Sequence, residues 1–213
     1  MRRLLYSNGS PFARKVRIVL IEKGLAFEQD VNDAMRPIGD IRQHNPALQV
    51  PVLYDGDLQL FGSNLIEEYL FVTYPETPAL AGQPPLAPSI TRPDHHWEDR
   101  LTLTAIESFA DTLVGLRLLL GDGSSDLPYV QRQRERLSSL LDWLEPRATA
   151  EGFWPGVFSV MDLNLMCPLF FGEKRGTFQF RTGRWPLITR MIDGWQGRPS
   201  IIATPVNDVA PPR

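Results

Sequence analysis

Apolar positions in the first 75 residues change their spacing repeatedly, and each change marks a new element. Leu4-Leu5-Tyr6 is a short apolar run closed by Ser7-Asn8-Gly9, which predicts a buried strand and a turn. Pro11 follows, suited to a first helical position where its missing N–H costs nothing. Phe12, Val16, Val19 and Leu20 then fall on one helical face, and Gly24 ends the helix. Phe27 to Val31 reads as a second strand. A short helix over about Ile38–His44 stops before Pro46, because the residue preceding a proline avoids the helical region. Val52-Leu53-Tyr54 and Leu58-Gln59-Leu60 flank Asp55-Gly56, the signature of an antiparallel hairpin. Ser63 is placed to cap a third helix, with Leu65, Ile66, Tyr69 and Leu70 facing inward. The predicted order is β-α-β-α-β-β-α.

Periodicity then stops. Six prolines lie between Pro75 and Pro93, and proline both fixes φ and removes a donor. Residues 1–75 are therefore expected to form an α/β domain, 76–88 a linker, and 89–213 a second, all-helical domain. In that second part Ile106, Phe109, Leu113, Leu116 and Leu120 step by threes and fours, as do Val130, Leu137, Leu141 and Leu144. Beside the latter, Arg132, Arg134 and Arg136 read as a solvated face. Ser159-Val160-Met161-Asp162 has the form of a capping box opening the apolar run Leu163 to Phe171.

Composition narrows the class. The 213 residues carry 22 Lys+Arg against 25 Asp+Glu, for a net charge of −3. A nucleic-acid-binding surface spread over the molecule would normally be basic, so no nucleic-acid partner is expected. The one cysteine, Cys167, excludes an internal disulfide and a multi-cysteine metal site. Only Leu4, Leu5 and Tyr6 follow the basic start before polar residues resume, short of a secretory apolar stretch. No run approaches a membrane span. The expectation is a cytoplasmic protein with no metal and no membrane partner.

Three turns of the first part carry candidate chemistry. Ser10 lies between a strand and a helix start, where free N–H groups and the positive helix end favour an anion. Its hydroxyl either caps the helix or donates to such an anion. Val50-Pro51 precedes a strand; the bond is either a cis turn that turns the Val50 backbone outward for a peptide ligand, or a plain proline at a strand edge. Ser63 either caps the third helix or binds a carboxylate with its hydroxyl and N–H.

Taken together, these pieces resemble the cytosolic glutathione S-transferases of bacterial type that use a serine. The matching pieces are Ser10-Pro11-Phe12 with Arg14 and Arg17, Asn45-Pro46 leading into Gln49-Val50-Pro51-Val52-Leu53, Ser63 through Ile66-Glu67-Glu68-Tyr69-Leu70 to Tyr74-Pro75, the Ser159–Asp162 box, and Arg198-Pro199-Ser200. The resemblance implies a thioredoxin-like domain followed by a helical one, usually as a homodimer, with glutathione as co-substrate. Ser10 corresponds to the catalytic serine, with Phe12 beside it. Val50, before Pro51, corresponds to the residue whose backbone pairs with the cysteinyl part of glutathione, and Gln49 also touches the peptide. Ser63 corresponds to the hydroxyl that takes the γ-glutamyl carboxylate. Gly62 departs from the pattern, since the family usually places Glu, Gln or Asp there to accept the γ-glutamyl amine. Arg36 or His44 is a candidate for the glycyl carboxylate. Trp97, Arg100 and Phe109 are candidates to line the second-substrate pocket, although Trp97 and Phe109 equally suit a core.

The expected activity is attack of a glutathione thiolate, held by the Ser10 hydroxyl, on an apolar electrophile in detoxification. Alternatives remain: a non-catalytic glutathione-binding or protein-interaction member of the same fold, and glutathione-dependent peroxide or disulfide reduction. Direct disulfide exchange by the protein would need a thiol at position 10, and Cys167 lies in an apolar run.

Overall fold

The computed structural model describes residues 1–32, 38–76, 78, 80, 82–87, 90–121, 123 and 125–206. The chain divides into two compact units: Met1–Pro88 joined by the segment from Arg198, and Ser89–Gly197.

The first unit carries the order predicted from periodicity: β1 (Arg2–Tyr6), α1 (Pro11–Glu22), β2 (Phe27–Val31), α2 (Ile38–Arg42), β3 (Val52–Asp55), β4 (Leu58–Phe61) and α3 (Ser63–Thr73). The strands form one sheet in the order β2-β1-β3-β4. β1 runs parallel to β2 across the α1 crossover, and antiparallel to β3. Asp55 and Leu58 close the β3–β4 hairpin, with Gly56 at φ 59° supplying the left-handed turn residue. This βαβαββα arrangement is a thioredoxin-like fold. Leu4, Leu5 and Tyr6 are all buried, so both faces of β1 are covered; Leu5 packs with Val52 and with Ile41 of α2.

One expectation about α3 is reversed. Leu65 is 52% exposed, whereas Glu67 is 1% exposed. The Glu67 carboxylate accepts from buried Lys15 Nζ of α1 at 3.1 Å, and the same ammonium donates to Asn64 Oδ1. An ion pair between two packed helices therefore replaces an apolar contact, and the helix turns Leu65 outward.

The second unit is helical: α4 (His96–Gly121), α5 (Pro128–Leu144), α6 (Val160–Lys174) and α7 (Pro186–Trp195). The predicted apolar faces of α4 and α5 are buried except at Leu120, which is half-buried, and α4 packs against both α5 and α6. α6 approaches α4 closely: a Cβ at Gly172 would stand 3.0 Å from Leu113. The capping box at the start of α6 forms. Ser159 N–H donates to Asp162 Oδ2 at 2.7 Å, Asp162 N–H to Ser159 Oγ at 3.4 Å, and Phe153 N–H to Asp162 Oδ1 at 2.9 Å. Asp162 thus fixes both the helix start and the loop before it. Burial pushes its carboxyl up to about 6, against the bonds it receives from Ser159 and Phe153.

The last helix, α8 (Pro199–Ile202), was expected with the helical part. In the structure its segment belongs to the first unit, because α1 carries its anchors. Arg198 and Glu22 are both essentially inaccessible and pair through two bonds, Nε to Oε1 at 3.1 Å and Nη2 to Oε2 at 2.7 Å. Ser200 Oγ also donates to Glu22, and Arg198 Nη2 to the Pro84 carbonyl at 2.9 Å. Nearer the start of α1, Arg14 Nε donates to the Thr204 carbonyl at 2.6 Å. No helix among the described residues is long and apolar enough to cross a membrane.

Two outcomes follow from these buried charges. Arg198→Ala leaves the Glu22 carboxylate uncompensated and is expected to cost about 3–5 kcal/mol, read as a lowered urea midpoint; Arg198→Met with Glu22→Leu recovers much of the loss. The Asp162 carboxyl is raised from 3.8 to about 6 in the folded chain, so its contribution is fully present below pH ~4 and is lost as pH rises to about 6. The urea midpoint of the wild type relative to Asp162→Asn should fall across that window and level off above it.

Candidate functional site

Strand register brings the three candidate turns to one end of the sheet. β1 leaves the sheet at Tyr6. Leu5 pairs with Val52, so the antiparallel β3 enters the sheet at that same end, directly after Val50-Pro51. Val52 in turn pairs with Phe61, so β4 also leaves there, into Gly62 and Ser63. The helices that follow β1 and β4, α1 and α3, therefore both start at this end. Each helix start leaves backbone N–H groups without partners inside its helix and presents the positive end of its dipole.

Ser10 is the N-cap of α1, with φ −84° and ψ 123°, and its Oγ accepts from the Ala13 N–H at 3.2 Å. The capping role is thus real. It uses a lone pair of the oxygen, and a hydroxyl has one proton to donate besides. That O–H has no acceptor among the described residues. The turn beneath it is held from below. Ser10 N–H donates to the Ser7 carbonyl at 3.1 Å, and Arg17 Nη1 donates to Asn8 Oδ1 at 3.0 Å. The Arg17 guanidinium lies 4.6 Å from the Tyr6 ring centroid, so a buried cation supports the loop. Phe12 is half-buried in the first turn of α1.

The Val50–Pro51 peptide bond is cis. The loop before it is fastened by Asn45, which is 2% exposed. Asn45 Nδ2 donates to the Gln49 carbonyl at 2.7 Å, and its Oδ1 accepts from the Ala47 N–H at 2.8 Å. Leu48 takes φ 59° within this loop. Pro51 is buried, Gln49 exposed and Val50 between the two. The Val50 N–H and C=O make no hydrogen bond among the described residues.

The third turn corrects an expectation. Gly62, not Ser63, is the N-cap of α3, and Ser63 is the first helical residue. The Ser63 hydroxyl therefore caps nothing, and it makes no hydrogen bond among the described residues. Gly62 has φ 88°, in the region that glycine adopts without strain. That gives the missing acidic side chain a backbone reason, since open space surrounds the position where a Cβ would stand.

Other candidates are distributed differently. Arg36 lies outside the described residues. His44 Nδ1 is 2.5 Å from the Tyr54 hydroxyl, ring edge to face. Phe109 is fully buried and packs edge-to-face on Phe178 of the same unit at 5.6 Å; it is a core residue and offers no surface to a ligand. Trp97, 79% exposed, and Arg100 lie on the solvent side of α4. Cys167 is buried. Among the described residues no cluster of His, Cys, Asp or Glu is placed to hold a metal ion.

Sequence reasoning singled out Asn45 and Arg17 only as parts of a motif. Their supporting bonds, and the Lys15–Glu67 pair that ties the two helix starts together, depend on contacts that spacing does not reveal.

Residues 4–78 match the model of a glutathione S-transferase N-terminal domain. An uncharacterized glutathione S-transferase-like protein of Escherichia coli (strain K12) is 30% identical over 152 residues, 67% of this chain and 68% of that protein. The chain belongs to the glutathione S-transferase family. A stringent starvation protein A homolog of Pasteurella multocida is 41% identical over 73 residues, 34% of each chain. The chain thus aligns with about a third of the length of the relatives of that kind. A glutathione S-transferase from Methylobacillus flagellatus, solved with glutathione bound, has a TM-score of 0.75 and 25% identity, covering 96% of this chain and 99% of that one.

Proposed function

We propose that this chain is a glutathione transferase in which Ser10 activates the glutathione thiol by donating a hydrogen bond to its thiolate. The observation that carries the reading is the Ser10 hydroxyl. It is oriented by the bond from Ala13 N–H, keeps its own proton to give, and stands at the positive end of α1. The Val50 backbone would hold the cysteinyl part as an added strand does, with Gln49 beside it. The Ser63 hydroxyl and the first N–H groups of α3 would take the γ-glutamyl carboxylate. Glutathione bound in the Methylobacillus flagellatus relative supports the ligand.

The energetics are adequate. A cysteinyl thiol has a pKa of about 8.5, and lowering it by about two units takes roughly 2.7 kcal/mol of selective anion stabilisation. A hydroxyl donor to a charged acceptor contributes about 1.5–3 kcal/mol, and the helix end about 0.3–1 kcal/mol. The thiol proton passes to solvent. The sulfur lone pair then attacks an apolar electrophile, a C–S bond forms, and the leaving group departs with the bonding electrons. Ser10 stays a donor throughout and forms no covalent bond.

A second reading, binding without turnover, is favoured by Gly62, which brings no acceptor for the γ-glutamyl amine, and by the partial likeness to stringent starvation protein A homologues. Reduction of peroxides or disulfides through bound glutathione uses the same thiolate. A homodimer in the cytoplasm is part of the proposal. Exposed Leu58, Phe61, Leu65 and Val72, all on β4 and α3, supply an apolar surface of the kind such pairing covers.

Calorimetry with glutathione followed by turnover with chlorodinitrobenzene separates the readings. The transferase reading expects binding and turnover, with Ser10→Ala lowering kcat/KM by about 10- to 100-fold, the loss of one charge-assisted hydrogen bond. Turnover unchanged in Ser10→Ala removes the serine from its role, and binding with no turnover in the wild type favours the second reading.

A further inference from the structure

A buried ammonium joins the start of α3 to α1. Lys15 is 4% exposed, and its Nζ donates to Glu67 Oε2 at 3.1 Å and to Asn64 Oδ1. An ammonium has only hydrogens to give, so the amide atom of Asn64 that faces it is the oxygen. The oxygen and nitrogen of a planar amide diverge, which turns Asn64 Nδ2 away from Lys15. Asn64 is exposed, and its Nδ2 makes no hydrogen bond among the described residues. Lys15 therefore orients a surface amide and leaves its donor end unspent, so a ligand meeting it has less ordering to impose.

Ser63 precedes Asn64 on the same first turn. It is 9% exposed, and its hydroxyl makes no hydrogen bond among the described residues. The first N–H groups of α3 complete the set, without partners inside the helix and at its positive end. Position 62, where an acid would serve an ammonium, holds glycine. Glu67, one turn into the helix, is 1% exposed and is turned to Lys15. Glu68 is exposed and stands a turn further along than Asn64. The first turn of α3 thus offers donors and no carboxylate.

We propose that this subsite selects its peptide by the γ-glutamyl carboxylate alone and leaves the neighbouring α-ammonium unread, so that thiol peptides carrying a plain dicarboxylic acyl group in place of γ-glutamyl are equally good ligands. Asn64 Nδ2 is a further donor to the carboxylate, beside the Ser63 hydroxyl and the helix N–H groups. Lys15 is the positioning residue that aims it. The inference rests on the glutathione reading above, and adds to it one ligand residue and a broader class of substrate. A set made of donors has the sign for an anion; the ammonium stays in water, where it gains and loses little.

Calorimetry on the full chain with three thiol peptides is the test: glutathione, its deamino analogue glutaryl-cysteinylglycine, and its decarboxy analogue γ-aminobutyryl-cysteinylglycine. The deamino analogue should bind within about threefold of glutathione or tighter, and the decarboxy analogue at least about tenfold more weakly, having lost the hydrogen bonds to a charged group. Asn64→Ala should weaken glutathione and the deamino analogue alike, by about tenfold. Asn64→Asp keeps an acceptor for Lys15 but sets a carboxylate beside the ligand's own. It should weaken the deamino analogue more than glutathione, whose ammonium it receives, an inversion that a merely structural role would not give. Lys15→Met alone strands Glu67, so it is made together with Glu67→Met; on that background Asn64→Ala should cost less than in the wild type. A deamino analogue more than about threefold weaker than glutathione overturns the proposal and leaves the glutathione reading intact. So does a decarboxy analogue that binds as well as glutathione, or an Asn64→Ala variant with unchanged affinity. Binding of none of the three overturns the proposal and the glutathione reading together.

Discussion

A strand-to-helix turn must satisfy the first amides of its helix, and here the Ala13 N–H finds Ser10 Oγ. That one bond fixes where the hydroxyl sits and which of its valences remain. The oxygen gives a lone pair to the helix and keeps a proton for whatever stands in front of α1. Capping and anion binding are usually written as competing roles for a serine. In this geometry they use different parts of the same group, and the first orients the second.

The rest of the site depends on register. Antiparallel pairing of β1 with β3 and of β3 with β4 returns the chain to the same end of the sheet twice, first at Val50-Pro51 and then at Gly62-Ser63. A slip of one residue would turn every side chain of a strand to the opposite face. Leu5, Val52 and Ile41, packed together on one face, resist that slip. Beneath the site the unit is fastened by charge: Lys15 to Glu67 between α1 and α3, and Glu22 to Arg198 between α1 and the C-terminal segment. Both pairs are buried, so losing one member costs far more than the intact pair contributes. α1 is thus held by both pairs while its N-terminus stays open.

Much of this was legible in local spacing. The βαβαββα order, the Asp55-Gly56 hairpin and the Ser159–Asp162 box each follow from residues within a few positions of one another. What escaped was set by partners far along the chain. Leu65 reads as core from its helical phase, yet Glu67 is buried instead because Lys15, 52 residues away, neutralises it. Arg198-Pro199-Ser200 continues a helical region in sequence, but its anchor Glu22 is 176 residues away. Ser63 reads as a cap because serine favours that position; Gly62 holds it through a φ of 88°, which hydrophobic patterning does not encode. Phe109 carried no mark to distinguish a core ring from a pocket ring.

The account stands most directly on the ionisation of bound glutathione. Ultraviolet absorbance of the thiolate, followed against pH with saturating glutathione on the wild-type protein, should give a midpoint about two units below the ~8.5 of a free cysteinyl thiol. A midpoint equal to that of glutathione free in the same buffer would contradict it.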